Sequence, residues 1–216
     1  DYFKINIVDA IGTLGSPTTL CSQGFQLACA QITITPTNTL IVRGRQLNLS
    51  RNFIEGFDGE LAYSHEAFGG RFTYRALVNH LMQAYSIIPP NQVQTRLNEP
   101  ANPKWRGLVS INYARDNWSV SLQERLMSNT LLNATQVQGI DVSDNHLPAM
   151  AYTNLNATYK LTVMGHEEEL FANVQNLFNT DPPVSPNIPT NFNPQPVQNV
   201  FERLGRLYTV GIRLKW

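Results

Sequence analysis

Period-two alternation dominates this chain. Near the C-terminus, Tyr208, Val210, Ile212, Leu214 and Trp216 fall on one parity, and Thr209, Gly211, Arg213 and Lys215 on the other. Successive side chains of a β-strand point to opposite faces, so this stretch has one apolar and one polar face. The pattern recurs upstream. Leu170, Ala172 and Val174 oppose Glu169, Asn173 and Gln175; Leu155, Ala157, Tyr159 and Leu161 oppose Asn154, Asn156, Thr158 and Lys160. Trp118, Val120, Leu122 and Leu126 oppose Ser119, Ser121, Gln123 and Arg125; Trp105, Val109, Ile111 and Tyr113 oppose Arg106, Ser110 and Asn112. Phe72, Tyr74, Ala76 and Val78 oppose Arg71, Thr73, Arg75 and Asn79, while Phe57, Leu61 and Tyr63 oppose Asp58, Glu60 and Ser64. In the first strand Phe3, Ile5 and Ile7 oppose Tyr2, Lys4 and Asn6. The sum is about eight antiparallel strands, each near the ~9–11 residues a tilted membrane strand needs.

The connections alternate too. Short ones, 65–70, 115–117 and roughly 162–167, interleave with long ones at about 12–50, 81–104, 128–149 and 179–205. One rim with tight turns and another with extended loops is the expectation for an up-and-down transmembrane barrel wall. Segment 81–90 reads as loop, and no helix of useful length is expected.

A soluble sandwich also gives each strand one apolar face, so the choice of lipid rests on further features. Charged residues are only 15% of the 216, with Lys+Arg and Asp+Glu balanced at 16 each. That is below the roughly 25% of soluble domains and excludes the basic bias of a nucleic-acid binder. The aromatics Tyr63, Phe72, Tyr113, Trp118, Tyr159 and Trp216 carry the apolar parity and lie near short turns or the chain end, as an interfacial girdle would. The polar parity holds Arg71, Arg75, Arg106, Arg125 and Arg213, suited to pair with Asp58, Glu60 and Glu169 along a lumen. His80 and Glu124 break the apolar parity; for Glu124 either an interfacial position or a bulge is expected.

Cys21 and Cys29 have no histidine close in sequence. They read as a local disulfide, with two free thiols as the alternative. Catalytic and cofactor motifs are absent: His166-Glu-Glu-Glu lacks the second histidine of a zinc-protease helix, and Asp141-Val-Ser-Asp-Asn145 lacks the glycine and distal Glu of a calcium loop. No cofactor or metal is expected. Tyr85, Phe192 and Phe201 are candidate aromatic contacts for a small-molecule ligand, or ordinary loop packing.

Leu170-Phe-Ala-Asn-Val-Gln-Asn-Leu-Phe-Asn179, a Pro-rich loop from Pro182, and Leu204-Gly-Arg-Leu-Tyr-Thr-Val-Gly-Ile-Arg-Leu-Lys-Trp216 resemble the C-terminus of TonB-dependent outer-membrane receptors. Asp1-Tyr-Phe-Lys-Ile-Asn-Ile7 and Gly56–Tyr63 are similar to that family's wall strands. The resemblance implies a 22-stranded barrel in the bacterial outer membrane, of which residues 1–216 form a single C-terminal segment without plug domain or TonB box. It also implies membrane lipid, the TonB complex (through the parent's missing part) and the barrel-assembly machinery as partners. Tyr208, Val210, Ile212, Leu214 and Trp216 would carry the assembly signal. The ligand class stays open among iron chelates, cobalamin and carbohydrate. The alternatives are a self-contained eight-stranded barrel of structural or adhesive role, or a soluble sandwich binding module. A fragment is expected to form a curved open sheet with unpaired edges, or a closed form only through adaptation.

Overall fold

The computed structural model describes residues 1–14, 16–88, 92–163, 166–185, 195–196 and 200–214. Eight strands follow one another across a single antiparallel sheet in strict chain order. They are β1 (Tyr2–Thr13), β2 (Gln46–Ala67), β3 (Gly70–Ile88), β4 (Trp105–Arg115), β5 (Trp118–Met127), β6 (Met150–Val163), β7 (His166–Gln175) and β8 (Leu207–Leu214). A ninth short strand, Gln92–Thr95, folds back on the end of β3. The sheet does not close, and β1 and β8 are its edges among the described residues.

Antiparallel partners share a face, so the register fixes both faces. One row runs Phe57–His80–Trp105, with Tyr2 joining it from β1. Parallel to it lie Leu61–Ala76–Val109–Glu124–Thr153 and Tyr63–Tyr74–Ile111–Leu122–Leu155–Val174–Tyr208. Nearer the short turns comes His65–Phe72–Tyr113–Val120–Ala157–Ala172–Val210. Among the described residues no second sheet layer covers this apolar face: Val210 is 81% exposed and Leu61 69%. A sandwich would bury it.

Aromatic rings edge the apolar band on both sides. On the short-turn side Phe72 and Tyr113 lie 4.5 Å apart, Tyr113 and Trp118 5.1 Å, and Trp118 pairs with Tyr159. On the long-loop side His80 lies 3.9 Å from Trp105 and 5.0 Å from Phe57. The sequence reading identified the first ring and missed the second. At ~3.3 Å per residue and ~40° tilt, the path from Phe72 to His80 rises roughly 20 Å, near the ~25 Å of an outer-membrane apolar band. Trp216 lies outside the described residues.

Three expectations are corrected. Leu81–Ile88 is strand rather than loop. At the β2–β3 ladder Glu55 pairs with Gln83 and Gly56 with Leu81, leaving Met82 as an extra residue. That bulge reverses β3's parity, so alternation read in one frame breaks at that point. The long connection after β1 is also shorter than read: strand continues to Thr13, resumes at Gln46, and encloses two short helices, Pro17–Ser22 and Gln26–Cys29. Finally, Phe3 and Ile5 align with Gly56 and Ile54, opposite the apolar band, while Lys4 and Asn6 align with Glu55 and Phe53 on the band's side. The reason is height. Beyond the Phe57 row the band has ended, so polar groups such as Lys4 and Glu55 take the outward positions, and Leu81 and Ala84 are buried beneath.

Candidate functional site

The polar face gathers all five arginines singled out above. On β3, Arg71 and Arg75 alternate with the band residues, Arg106 on β4 pairs across to Asn79, Arg125 on β5 to Leu108, and Arg213 on β8 to Glu169. Their partners differ. Arg75 Nε donates to Glu60 Oε1 at 2.8 Å. Arg213 donates to Glu169 and stacks over the Phe171 ring, 4.7 Å from its centroid, while that ring covers Gly211 on the neighbouring strand. Asn79 donates to Asp58 at 2.7 Å. Arg71 forms no ion pair among the described residues.

At mid-height between β5 and β7 the polar face holds a patch without charged side chains. Ser121, Gln123, Asn154, Asn156, Asn173 and Gln175 line a shallow concavity there. Asn156 donates to Asn173, and Ser119 and Thr158 share a hydrogen bond of 2.7 Å.

At the long-loop end the polar face changes character. Leu147, Met150, Tyr152 and Phe201 form a buried cluster, with Met127, Leu132 and Val200 packed on it. Beside it opens a cavity of about 470 Å³ lined by Leu77, Leu108, Met127, Tyr152, Arg106 and Arg125, among others. Two arginines tie loops to this place. Arg106 Nη2 donates to the Ala101 and Pro100 carbonyls at 2.6 and 3.3 Å. Arg125 lies 3.9 Å from Glu202 and 5.1 Å from the Tyr152 ring centroid. Buried Asn145 then knits the loop after β5: its Nδ2 donates to the Asn133 and Gln136 carbonyls at 2.9 and 2.8 Å. Leu131 N–H donates to Asn98 O at 2.7 Å, joining that loop to the one before β4.

The apolar mouth was missed in the sequence, although a signal existed. Leu77 and Leu108 stand on the polar parity of adjacent strands and pair directly. Of the candidate aromatics, Phe201 is buried in the cluster. Tyr85 instead stacks on Phe53 at 4.8 Å, on the side of Lys4 and Glu55; Phe192 lies outside the described residues. Cys21 and Cys29 are joined by a disulfide. Among the described residues no cluster of His, Cys, Asp or Glu is arranged to hold a metal ion.

On β8, Tyr208, Val210, Ile212 and Leu214 pair with Val174, Ala172, Leu170 and Glu168 on the apolar face. Glu124 sits on that face with no bulge beside it, and Thr153 Oγ1 donates to its carboxylate.

An antiparallel meander with a belted apolar face, a polar face and loops gathered at one rim defines a membrane β-barrel wall. The TonB dependent receptor-like, beta-barrel family matches residues 1–177, and the chain belongs to that family, whose members are outer-membrane transport receptors. No curated protein matches the chain. The match ends within the Asn176–Asn179 turn, and β8 lies beyond it.

Proposed function

We propose that this chain is the C-terminal wall of a larger, 22-stranded active importer, taking up a siderophore, cobalamin or carbohydrate-type ligand with energy passed through TonB to a part of the protein outside residues 1–216. The observation that carries the reading is the pair of aromatic belts on one face of a wall whose other face holds ion pairs. In this reading the belts sit at the two interfaces of the outer membrane, the polar face encloses the lumen, and the loops tied by Arg106 and Arg125 form its external mouth. The edges β1 and β8 then pair with strands of the rest of the barrel, because an unsatisfied strand edge in lipid costs several kcal/mol per group. The apolar row of β8, Tyr208, Val210, Ile212 and Leu214 with Trp216, serves as the signal read by the barrel-assembly machinery.

The face assignment is tested by spin labels placed singly at Ile111 and Asn112 in the parent protein in vesicles. The label at Ile111 should be accessible to oxygen and shielded from a water-soluble nickel complex, and the label at Asn112 the reverse. Equal accessibility would overturn the lumen assignment. Energy coupling is tested by nutrient accumulation in cells with and without TonB; uptake unchanged without it would refute active import.

A further inference from the structure

We propose that the cavity between Arg106 and Arg125 binds an amphipathic monoanion: one ionised acid group carried on an apolar body. This rests on reading the polar face as an importer's lumen, and at this cavity it sets a small organic acid in place of the carbohydrate or multiply charged chelate that the wider reading left open.

Two features meet at this point and nowhere else among the described residues. The first is cation excess. Arg106 and Arg125 are the charged side chains lining the cavity. They stand on adjacent strands as diagonal neighbours, Arg106 opposite Met127 and Arg125 opposite Leu108, a backbone spacing of ~7–8 Å. Elsewhere on this face Arg75 and Arg213 are bonded directly to carboxylates. Here Arg106 donates only through Nη2, and only to neutral carbonyls. Its Nε and Nη1 carry no hydrogen bond among the described residues. Asp58, the acid in the Arg106 row, is occupied by Asn79. Arg125 has Glu202 at 3.9 Å, beyond hydrogen-bond reach. Two guanidinium groups lining one cavity favour an anion between them, and a guanidinium offers a carboxylate two parallel donors.

The second feature is the apolar lining. Leu77, Leu108, Met127, Met150 and Val200 supply apolar walls beside the guanidinium groups, and the Tyr152 ring lies 5.1 Å from the Arg125 guanidinium. A sugar would find few hydrogen-bond partners on these side chains, and its hydroxyls would be stripped of water without replacement. A multiply charged chelate would bring more negative charge than two arginines match. An aryl or alkyl acid satisfies both halves, and about 470 Å³ accommodates one.

The test uses the full-length parent protein in non-ionic detergent with two probes of one shape, 4-butylbenzoate and 4-butylbenzamide, titrated by calorimetry. The benzoate should bind about tenfold or more tightly than the neutral amide. Arg125→Gln should weaken the benzoate by about tenfold and leave the amide unchanged. Arg51→Gln, on the opposite face of the wall, should change neither. Val200→Trp, which fills the cavity and keeps both arginines, should abolish binding of both probes. Retention of the heat-dependent gel shift of a folded barrel certifies each variant. Equal affinity for the two probes, benzoate binding untouched by Arg125→Gln, or no binding to the parent protein overturns the proposal. Cellular uptake that persists without TonB, alongside benzoate binding as described, refutes active import and leaves the cavity's assignment standing.

Discussion

Asn179 Oδ1 accepts the backbone N–H of Arg206 at 2.9 Å, closing a separation of 27 residues at the point where β8 begins. Asn179 itself is left-handed, with φ +54°, and Gly205 opposite it has φ +68°. A Cβ on Gly205 would sit 3.0 Å from Asn179 Oδ1. Asn176, also left-handed and buried, closes the turn before it by accepting from Thr180 N–H at 2.8 Å and donating to Thr180 O at 2.9 Å. The Asn-Leu-Phe-Asn and Gly-Arg motifs are thus two halves of one clasp that sets the register of the last strand.

Asn179→Ala removes the acceptor and leaves a β-carbon residue in the left-handed region. The expected cost is about 1–3 kcal/mol. Because the bond holds the start of β8, the amides of Leu207–Thr209 should exchange with solvent faster while those of β4 and β5 do not change. Asn179→Gly should cost less than Ala, since glycine relieves the backbone term. Hydrogen exchange read by mass spectrometry distinguishes the three proteins.

Val210→Arg and Thr209→Arg place the same charge on opposite faces of β8. Val210, near the middle of β8, pairs with Ala172 and is 81% exposed on the apolar side, whereas Thr209 pairs with Asn173 on the polar side. Arginine at the first position should cost about 2–4 kcal/mol and at the second close to nothing. Folding free energies of the parent protein in vesicles, from denaturant titration, give the comparison.

What was legible in the sequence divides along physical lines. From Phe57 to Tyr208 the faces could be read because lipid on one side and polar partners on the other impose the same parity on every strand. Above the Phe57–Trp105 row that constraint ends. Lys4 and Glu55 can then face outward, and a single extra residue, Met82, reverses the frame without any mark in the composition of 81–88. The mouth was hidden for a different reason. Met127, Leu147, Tyr152 and Phe201 come from separate strands and loops, and no local pattern links them. Only the Leu77–Leu108 pair, two apolar residues on the polar parity, pointed there.

Glu124 tests how much of the band is hydrocarbon. The ladders on both its sides are regular, so no bulge turns it inward. It lies in the Leu61–Val109 row, between the central Ile111–Leu122 row and the Trp105 ring, and it accepts a hydrogen bond from Thr153. Glu124→Gln keeps an acceptor for that hydroxyl and should change stability by no more than about 0.5 kcal/mol. Glu124→Lys puts a cation at the same depth and removes the acceptor, and should cost about 2–3 kcal/mol. Equal stabilities of the two variants in vesicles would show that water reaches this row.

Gly56 marks the bulge. A methyl group on it would press into the carbonyl oxygen of His80 and meet Phe3 Cζ at 3.0 Å. The first obstacle is backbone and cannot swing away. Gly56→Ala should therefore cost about 1–3 kcal/mol and loosen β1, since Phe3 is its nearest side-chain neighbour from that strand. Limited proteolysis should cut within β1 of the variant before the wall melts. Gly59, whose added Cβ would sit 3.6 Å from Val78 Cγ1 in ordinary contact, is the control: Gly59→Ala should leave the cleavage pattern unchanged.

Reduction of the Cys21–Cys29 disulfide should be felt only locally. The bridge spans a separation of 8 residues and ties the two short helices together. The excursion that carries them is closed independently at its base, where Thr13 pairs with Gln46 and Gly12 with Leu47 in the β1–β2 ladder. A bridge this short contributes ~2.5 kcal/mol in the chain-entropy account, and that contribution belongs to the excursion rather than to the sheet. Treatment with a reductant should thus speed proteolysis between Pro17 and Arg43 while the thermal gel shift of the barrel stays within about 2 °C of the oxidised protein. A drop well beyond that would mean that the excursion and the wall unfold as one unit, and that the Thr13–Gln46 base does not isolate them.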